Sequence, residues 1–354
     1  MTRSIADRTP TTQRRRSSRL AAAAVVAAAT LVLTGCSATT GSATNDEAAV
    51  SGGFPVSLKN TYGTTTIESA PKRVATISWT NQDVAIALGD IPVSMSKATY
   101  GDDNGDGVLP WTAEALKKAG AKTPQLNDES DGIPYERIAN STPDVILGAY
   151  SGLTKQEYGT LSKIAPTVSF PEQAWATPWR TTTLTDGEAL GKKAQAQKLI
   201  TATDEQIAAA TAKYPQLKGK TVMYMWVGAN DPRTITYYTP NDSRVRFLRD
   251  LGLKNAPSIE GLSKGSNEFL GKISSEKADT LDADIAVIYI DGGSYDVIKN
   301  DPLLSRIPAV QRGSVVELSN TTQVMATSAP SVLSIPWVLP TFVPELAKAA
   351  DKVR

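Results

Sequence analysis

The segment from Leu184 to Lys213 constrains this chain most. It holds no proline, and its central run, EALGKKAQAQKLITATDEQIAAATAKY, is rich in alanine, lysine, glutamine and leucine, all good helix formers. Ile200, Ile207 and Tyr214 recur at seven-residue steps with Ala210 between them, so one stripe faces a core. The spacing predicts a single helix over 184–213, about 45 Å long at 1.5 Å per residue. Pro215 and Gly219 close it.

Strand and helix signals alternate on both sides of that rod. Before it come RVATIS (Arg73–Ser78), DVAIALGD at helical spacing, IPVSM (Ile91–Met95), YERIAN, and a buried strand, Val145 to Gly148. TKQEYGTLSKIAPTVSF then repeats the helix–proline–strand pattern. After the rod come KTVMYMWVG as a strand and RVRFLRDLGL as a helix ending at Gly252. SSEKADTLDADIAVIYI follows as helix and strand, GSVVEL as a last strand, and IPWVLPTFVPELAKAADKV as a helical end. Such alternation predicts parallel sheets with crossover helices. The fold class is therefore α/β, with two Rossmann-like lobes joined by a single long helix. The lobes span 54–183 and 214–354, and some three hundred residues are enough for each to carry its own core.

The first fifty residues have a different character. Arg14, Arg15, Arg16 and Arg19 make a positive start, and Leu20 to Val32 is apolar but short for a membrane span. Leu33-Thr34-Gly35-Cys36 follows and resembles the lipobox of bacterial lipoproteins, with Thr34 where alanine or serine is commoner. The resemblance implies cleavage after residue 35, lipidation of Cys36 and attachment to the outer face of the cell membrane. Residues 36–53, small and polar, read as a flexible tether. Loss of 1–35 removes six arginines and one acid, leaving 31 basic and 35 acidic side chains and a net charge of −4. That balance disfavours nucleic acid as a partner. Cys36 is the only cysteine and histidine is absent, so a Ser-His-Asp triad, a Cys-His dyad and a histidine-rich zinc site are impossible.

Four stretches carry a resemblance that spans nearly the whole mature chain. They are PKRVATISWTNQDVAIALGDIPV (71–93), GIPYERIANSTPDVILGAYSGLTKQEYGTLSKIAPTV (132–168), YTPNDSRVRFLRDLGL (238–253) and ISSEKADTLDADIAVIY (273–289). In this order they resemble the helix-linked, class III solute-binding proteins of bacterial ABC importers, in particular the ferric-siderophore-binding lipoproteins. The resemblance implies a ligand cleft between two lobes, limited hinge motion and docking of a monomer onto a membrane permease. No cofactor is expected; the ferric siderophore, of hydroxamate type, is the ligand. Haem or cobalamin binding on the same fold is the alternative. An extracellular enzyme acting on the chelate is the alternative of a different class, but neither a G-x-S-x-G elbow on a strand–helix turn nor a dinucleotide fingerprint is present.

A bulky chelate needs aromatic walls and a few cations. Trp79, Tyr100, Tyr150 and Trp175 follow predicted strands of the first lobe, and Trp179 and Arg180 come just after. In the second lobe the candidates are Trp226, Arg233, Tyr237, Tyr238, Arg244 and Tyr295. Arg244 matches the arginine of the family's Y-T-P-x-x-x-R stretch. Trp111 and Trp337 read as structural. Permease docking in the family uses one acidic side chain per lobe, for which Glu157 and Asp296 (or Asp301) are candidates. The loop GDDNGDGVLPW matches the first half of an EF-hand through Asp102, Asn104, Asp106 and Gly107, but its twelfth position is Ala113 instead of glutamate. It reads as a polar loop at the cleft rim, with no resident metal.

Overall fold

The computed structural model describes residues 53–353. The predicted signal segment, Cys36 and all of the tether except Gly53 lie outside the described residues.

A hairpin of β1 (Val56–Asn60) and β2 (Gly63–Ile67) opens the first lobe. Strands β3 (Val74–Thr76), β4 (Ser94–Ser96), β5 (Gln125–Asn127), β6 (Val145–Gly148) and β7 (Thr167–Ser169) follow. They form an all-parallel sheet in the order β5-β4-β3-β6-β7. The crossovers are α1 (Asn81–Ala87), α2 (Pro110–Lys118), α3 (Tyr135–Asn140) and α4 (Lys155–Leu161). Short, fully buried strands such as Val145–Gly148 read as continuous apolar runs because helices cover both faces.

The linking region departs from the predicted single rod. It consists of α5 (Trp179–Ala189) and α6 (Lys193–Thr211), so the predicted start at Leu184 falls inside α5. Gly191 takes φ 69°, its N–H donates to the carbonyl of Glu188, and Lys192 N–H donates to the carbonyl of Gly187. This is a Schellman end, which needs a left-handed residue and therefore favours glycine. A Cβ on Gly187 would lie 2.4 Å from that of Ala196, so the two helices cross as closely as glycine permits. Helix α6 alone, with 19 residues, is about 28 Å long.

The second lobe contains β8 (Thr221–Gly228), β9 (Asp231–Tyr238), β10 (Lys254–Asn255), β11 (Leu270–Ser274), β12 (Ile285–Asp291) and β13 (Val315–Leu318). Their sheet runs β11-β9-β8-β12-β13, with β10 also on β8. It is mixed: β10, β12 and β13 pair parallel, whereas β8–β9 and β9–β11 are antiparallel. The pattern of parallel strands missed this hairpin because Pro232 and polar residues mask the start of β9. The helices are α7 (Ser243–Asp250), α8 (Pro257–Leu262), α9 (Asp296–Asn300), α10 (Pro308–Arg312), α11 (Thr321–Ser328) and α12 (Ser334–Ala350).

The lobes do not simply have one core each. Separate clusters fill the first lobe and the far side of the second sheet. The largest cluster joins Val84, Trp111 and Trp179 to Ile200 and Ile207 of α6, then to Tyr224, Val287, Phe342 and Leu346. The predicted stripe of α6 therefore faces a core shared by both lobes, with Ala210 and Tyr214 at its edge. A continuous apolar core resists wide hinge opening, because parting it would expose these side chains to water.

Candidate ligand-binding site

The first-lobe wall is set by backbone strain. Ser78 (φ 58°) and Thr80 (φ 69°) adopt left-handed conformations on either side of Trp79, which stands 42% exposed just past β3. Trp175 is left-handed too (φ 59°). Among the described residues only Thr142 shares this property among non-glycines, so three of four such positions lie in this wall. Strained backbone of this kind persists only where surrounding contacts enforce it.

The enforcing residue is Asn81, fully buried at the head of α1. Its amide Nδ2 donates to the carbonyls of Ile77 (2.8 Å), Trp79 (3.0 Å) and Tyr150 (3.0 Å), and its Oδ1 accepts from Tyr150 N–H (3.1 Å). One side chain thus locks the loop after β3 to the loop after β6. Ser78 N–H also donates to the Glu129 carboxylate (3.0 Å). Trp79 and Trp175 pack with ring centroids 5.3 Å apart, and Tyr150 meets Trp175 edge-on at 5.8 Å. Gly152 makes room: a Cβ there would lie 2.1 Å from Trp175 Nε1.

The second-lobe wall is one face of the mixed sheet. Trp226 on β8 lies opposite Tyr289 on β12 and Thr236 on β9, so the three share a face. One step along, Tyr224 meets Tyr238 edge-on at 5.3 Å. Arg244 lies over Tyr238 at 4.1 Å and 5.9 Å from the Tyr224 ring. Its Nη1 donates to Asp242 (2.9 Å) and its Nε to Ser328 Oγ (3.1 Å). Burial works against the guanidinium charge, but Asp242 and the surrounding tyrosines more than offset it, so its pKa is raised. Asp242 also caps α7.

The walls meet. Tyr100, 38% exposed, donates its hydroxyl to that of Tyr289 at 2.5 Å. Tyr150 shares a 3.1 Å hydrogen bond with Ser243, and burial pushes the Tyr150 phenol up to about 12. Thr322 donates to the Gly101 carbonyl (2.8 Å), and Ser331 to the buried Asp83 (2.6 Å). Trp79, Tyr100, Tyr150, Trp175, Trp226, Tyr238 and Arg244 thus fall along one belt crossing the lobe junction. Tyr224, Tyr289, Asn81, Asp242 and Ser328 belong to it and were not singled out from sequence. The period-two alternation through YMW and VIY could have flagged Tyr224 and Tyr289.

Five predicted residues do not join the belt. Trp179 is buried in the shared core with its Nε1 donating to Asp250 at 3.0 Å. Arg180 pairs with Asp204 and with Asp250 (2.8 Å), tying α5 to α6 and α7. Both border a separate crevice of 660 Å³ between the loop after β7 and α7, larger than anything beside the belt but lined by none of its aromatic walls. Tyr237 points to the opposite face of the sheet from Tyr238, into the far core, as the strand period of two requires. Tyr295 packs at the edge of that same core. Arg233 is solvated beside Asp231 at 3.5 Å.

Glu157 closes a capping box on α4, accepting from Thr154 N–H (2.7 Å) and hydroxyl (2.8 Å). Asp296 is exposed in the first turn of α9, 3.8 Å from Lys299. In the 102–106 loop the acceptors serve the backbone: Asp102 accepts from Gly105 and Gly107 N–H, Asn104 from Asp106, and Asp106 from Val108. Trp111 and Trp337 pack together at 5.4 Å in the core, as their structural reading requires.

Comparison with known proteins bears on this geometry. A structure of PiaA from Streptococcus pneumoniae TIGR4 in complex with ferrichrome matches with TM-score 0.79 and 38% identity, over 84% of this chain and 99% of that one. The ferric enterobactin-binding periplasmic protein FepB of Escherichia coli O6:H1 is 29% identical over 290 residues, covering 76% of this chain and 85% of FepB. The probable siderophore-binding lipoprotein YfiY of Bacillus subtilis is 28% identical over 262 residues, 72% of this chain and 74% of YfiY. The sequence model of the periplasmic binding protein family matches residues 74–322, which hold the two larger sheets and the aromatic residues of both walls. The two α/β lobes, the helix between them and this match together make the chain a member of the periplasmic binding protein family.

Proposed function

We propose that this protein captures a ferric siderophore in the inter-lobe cleft and delivers it to an ABC permease for iron import, acting as a binder and not as an enzyme. The observation that carries this reading is the belt itself: indoles and phenols from both lobes, with one deeply seated arginine, on facing walls at the lobe junction. PiaA, which shares the fold and 38% of the aligned residues, is described with ferrichrome, whose iron is held by hydroxamates. The electrostatics favour the same class. Arg244 is matched by Asp242 at 2.9 Å, so the arginine wall is close to neutral and suits a neutral tris-hydroxamate over a highly anionic catecholate. We further read Cys36 as the lipid anchor, the mature protein as a monomer outside the membrane, and Glu157 and Asp296 as permease-facing carboxylates.

The test is tryptophan fluorescence of the soluble form, residues 37–354, titrated with ferric hydroxamates, catecholates and citrate, with gallium analogues to separate quenching by iron. Saturable binding of a hydroxamate at micromolar Kd or tighter, about −8 kcal/mol or better, supports the reading. Binding of haem or cobalamin and of no chelate overturns it, as does turnover of the chelate. For the anchor, Cys36→Ala releases the protein from membranes; retention in the membrane fraction refutes lipidation.

A further inference from the structure

Beyond the aromatic belt, three oxygen donors converge at the lobe junction. Tyr100, on the loop after β4, donates its hydroxyl to Tyr289 at 2.5 Å, and Tyr289 donates in turn to Asp291 Oδ1 at 3.2 Å. Tyr289 and Asp291 are two residues apart on β12 and so share a strand face, beside Trp226. Tyr100 and Asp291 are exposed, so the trio opens to solvent at the cleft.

We propose that Tyr100, Tyr289 and Asp291 form a direct coordination site for ferric iron whose chelator leaves positions open. The inference rests on the siderophore reading above and names a ligand class within it: ferric chelates with fewer than six donors. Three features carry it. The oxygens are hard donors of the kind a small, highly charged cation takes, and tyrosinate is an established iron ligand. The separations along the chain, 2.5 Å and 3.2 Å, bracket the edge of a metal–oxygen octahedron, about 2.8 Å for bonds of about 2.0 Å. They come from opposite lobes, so a shared cation would bridge the closed cleft. A ferric ion entering here forms two iron–phenolate bonds and one iron–carboxylate contact. The three protein oxygens displace three weakly held waters from iron, and the two phenolic protons pass to solvent. Oxidation state is unchanged. Without metal both phenols stay protonated, since burial, and for Tyr289 the hydrogen bond from Tyr100, hold their pKa values above the ordinary range. The single hydrogen-bonded chain from Tyr100 through Tyr289 to Asp291 is the arrangement that neutral phenols adopt.

The experiment compares two probes on residues 37–354. Ferric iminodiacetate, with three donors, leaves three positions open; a hexadentate ferric trihydroxamate leaves none. Visible difference spectra are read for a phenolate-to-iron charge-transfer band, and tryptophan quenching reports trihydroxamate binding. The expected result is a saturable band with ferric iminodiacetate, lost in Tyr100→Phe and Tyr289→Phe and weakened about tenfold or more in affinity by Asp291→Asn. Phenylalanine keeps both rings in place, and far-ultraviolet circular dichroism verifies folding. No band, with trihydroxamate quenching intact, overturns this inference and leaves the siderophore reading standing. A band that persists in both phenylalanine variants also overturns it. Neither band nor quenching removes both.

Discussion

Asn81 offers the sharpest test of how the first-lobe wall is held. Replacing it with alanine removes two amide hydrogens shared among three carbonyls and one hydrogen bond accepted from Tyr150 N–H. A buried hydrogen bond contributes about 1 kcal/mol net, and a backbone group left unpaired costs about 1–3 kcal/mol. Water reaching the vacated space satisfies part of the loss, so Asn81→Ala should destabilise the protein by about 3–4 kcal/mol. Binding should fall as well, because the strained turns that present Trp79 and Tyr150 lose their common anchor. Asn81→Asp separates the two halves of the clamp. It keeps an acceptor for Tyr150 N–H but turns an ionised or protonated carboxyl toward three carbonyls, so it should be at least as damaging as alanine despite its shape. Urea unfolding of wild type and both variants, with tryptophan quenching by the cognate chelate, measures both effects. A loss below 1 kcal/mol in both variants with unchanged affinity would refute the clamp.

Other predictions follow from the same geometry. Asp186 is fully buried in α5, its carboxyl oxygens lack a well-formed hydrogen bond, and burial, eased only slightly by Ala149 N–H, holds its pKa well above the usual carboxylate range. A raised folded pKa gives stability that is full below the unfolded value near ~4 and is lost as pH rises through the folded value. Asp186→Asn should therefore flatten that decline and raise the urea midpoint at neutral pH; an unchanged pH slope would sink the assignment. Gly152→Ala should drive Trp175 from its place and weaken ligand binding, at a stability cost of about 1–3 kcal/mol. Wild-type affinity in that variant would show that Trp175 is not needed where it stands. Trp79→Ala and Trp226→Ala should each weaken binding severalfold or more without unfolding, and unchanged affinity in both would remove them from the site.

The contrast between right and wrong expectations is physical. Strand–helix alternation is local, so β3, β6, β8 and β12 could be read from composition, and the seven-residue stripe of Ile200 and Ile207 located the helix that faces the shared core. The Gly191 break is also written locally, as a glycine directly after Glu188-Ala189-Leu190, but the absence of proline hides it. Tyr237 and Tyr238 show where local reading stops. Adjacent in sequence and identical in type, they lie on opposite faces of β9, and only the register with β8 decides which one meets Arg244. Trp179 and Arg180 likewise follow a strand as site residues should, but α5 starts there and carries them to Asp250 and Asp204.

The sequence by itself thus determined the fold class, the apolar stripe of α6 and a set of aromatic residues near strand ends, because these follow from short-range periodicity and chain direction. Tertiary structure alone decided which aromatics share a wall, that Asn81 fastens two loops 69 residues apart, and that Tyr100 meets Tyr289 across the cleft. Those outcomes depend on strand register, helix ends and contacts between distant segments, where a shift of one residue turns a side chain from ligand to core.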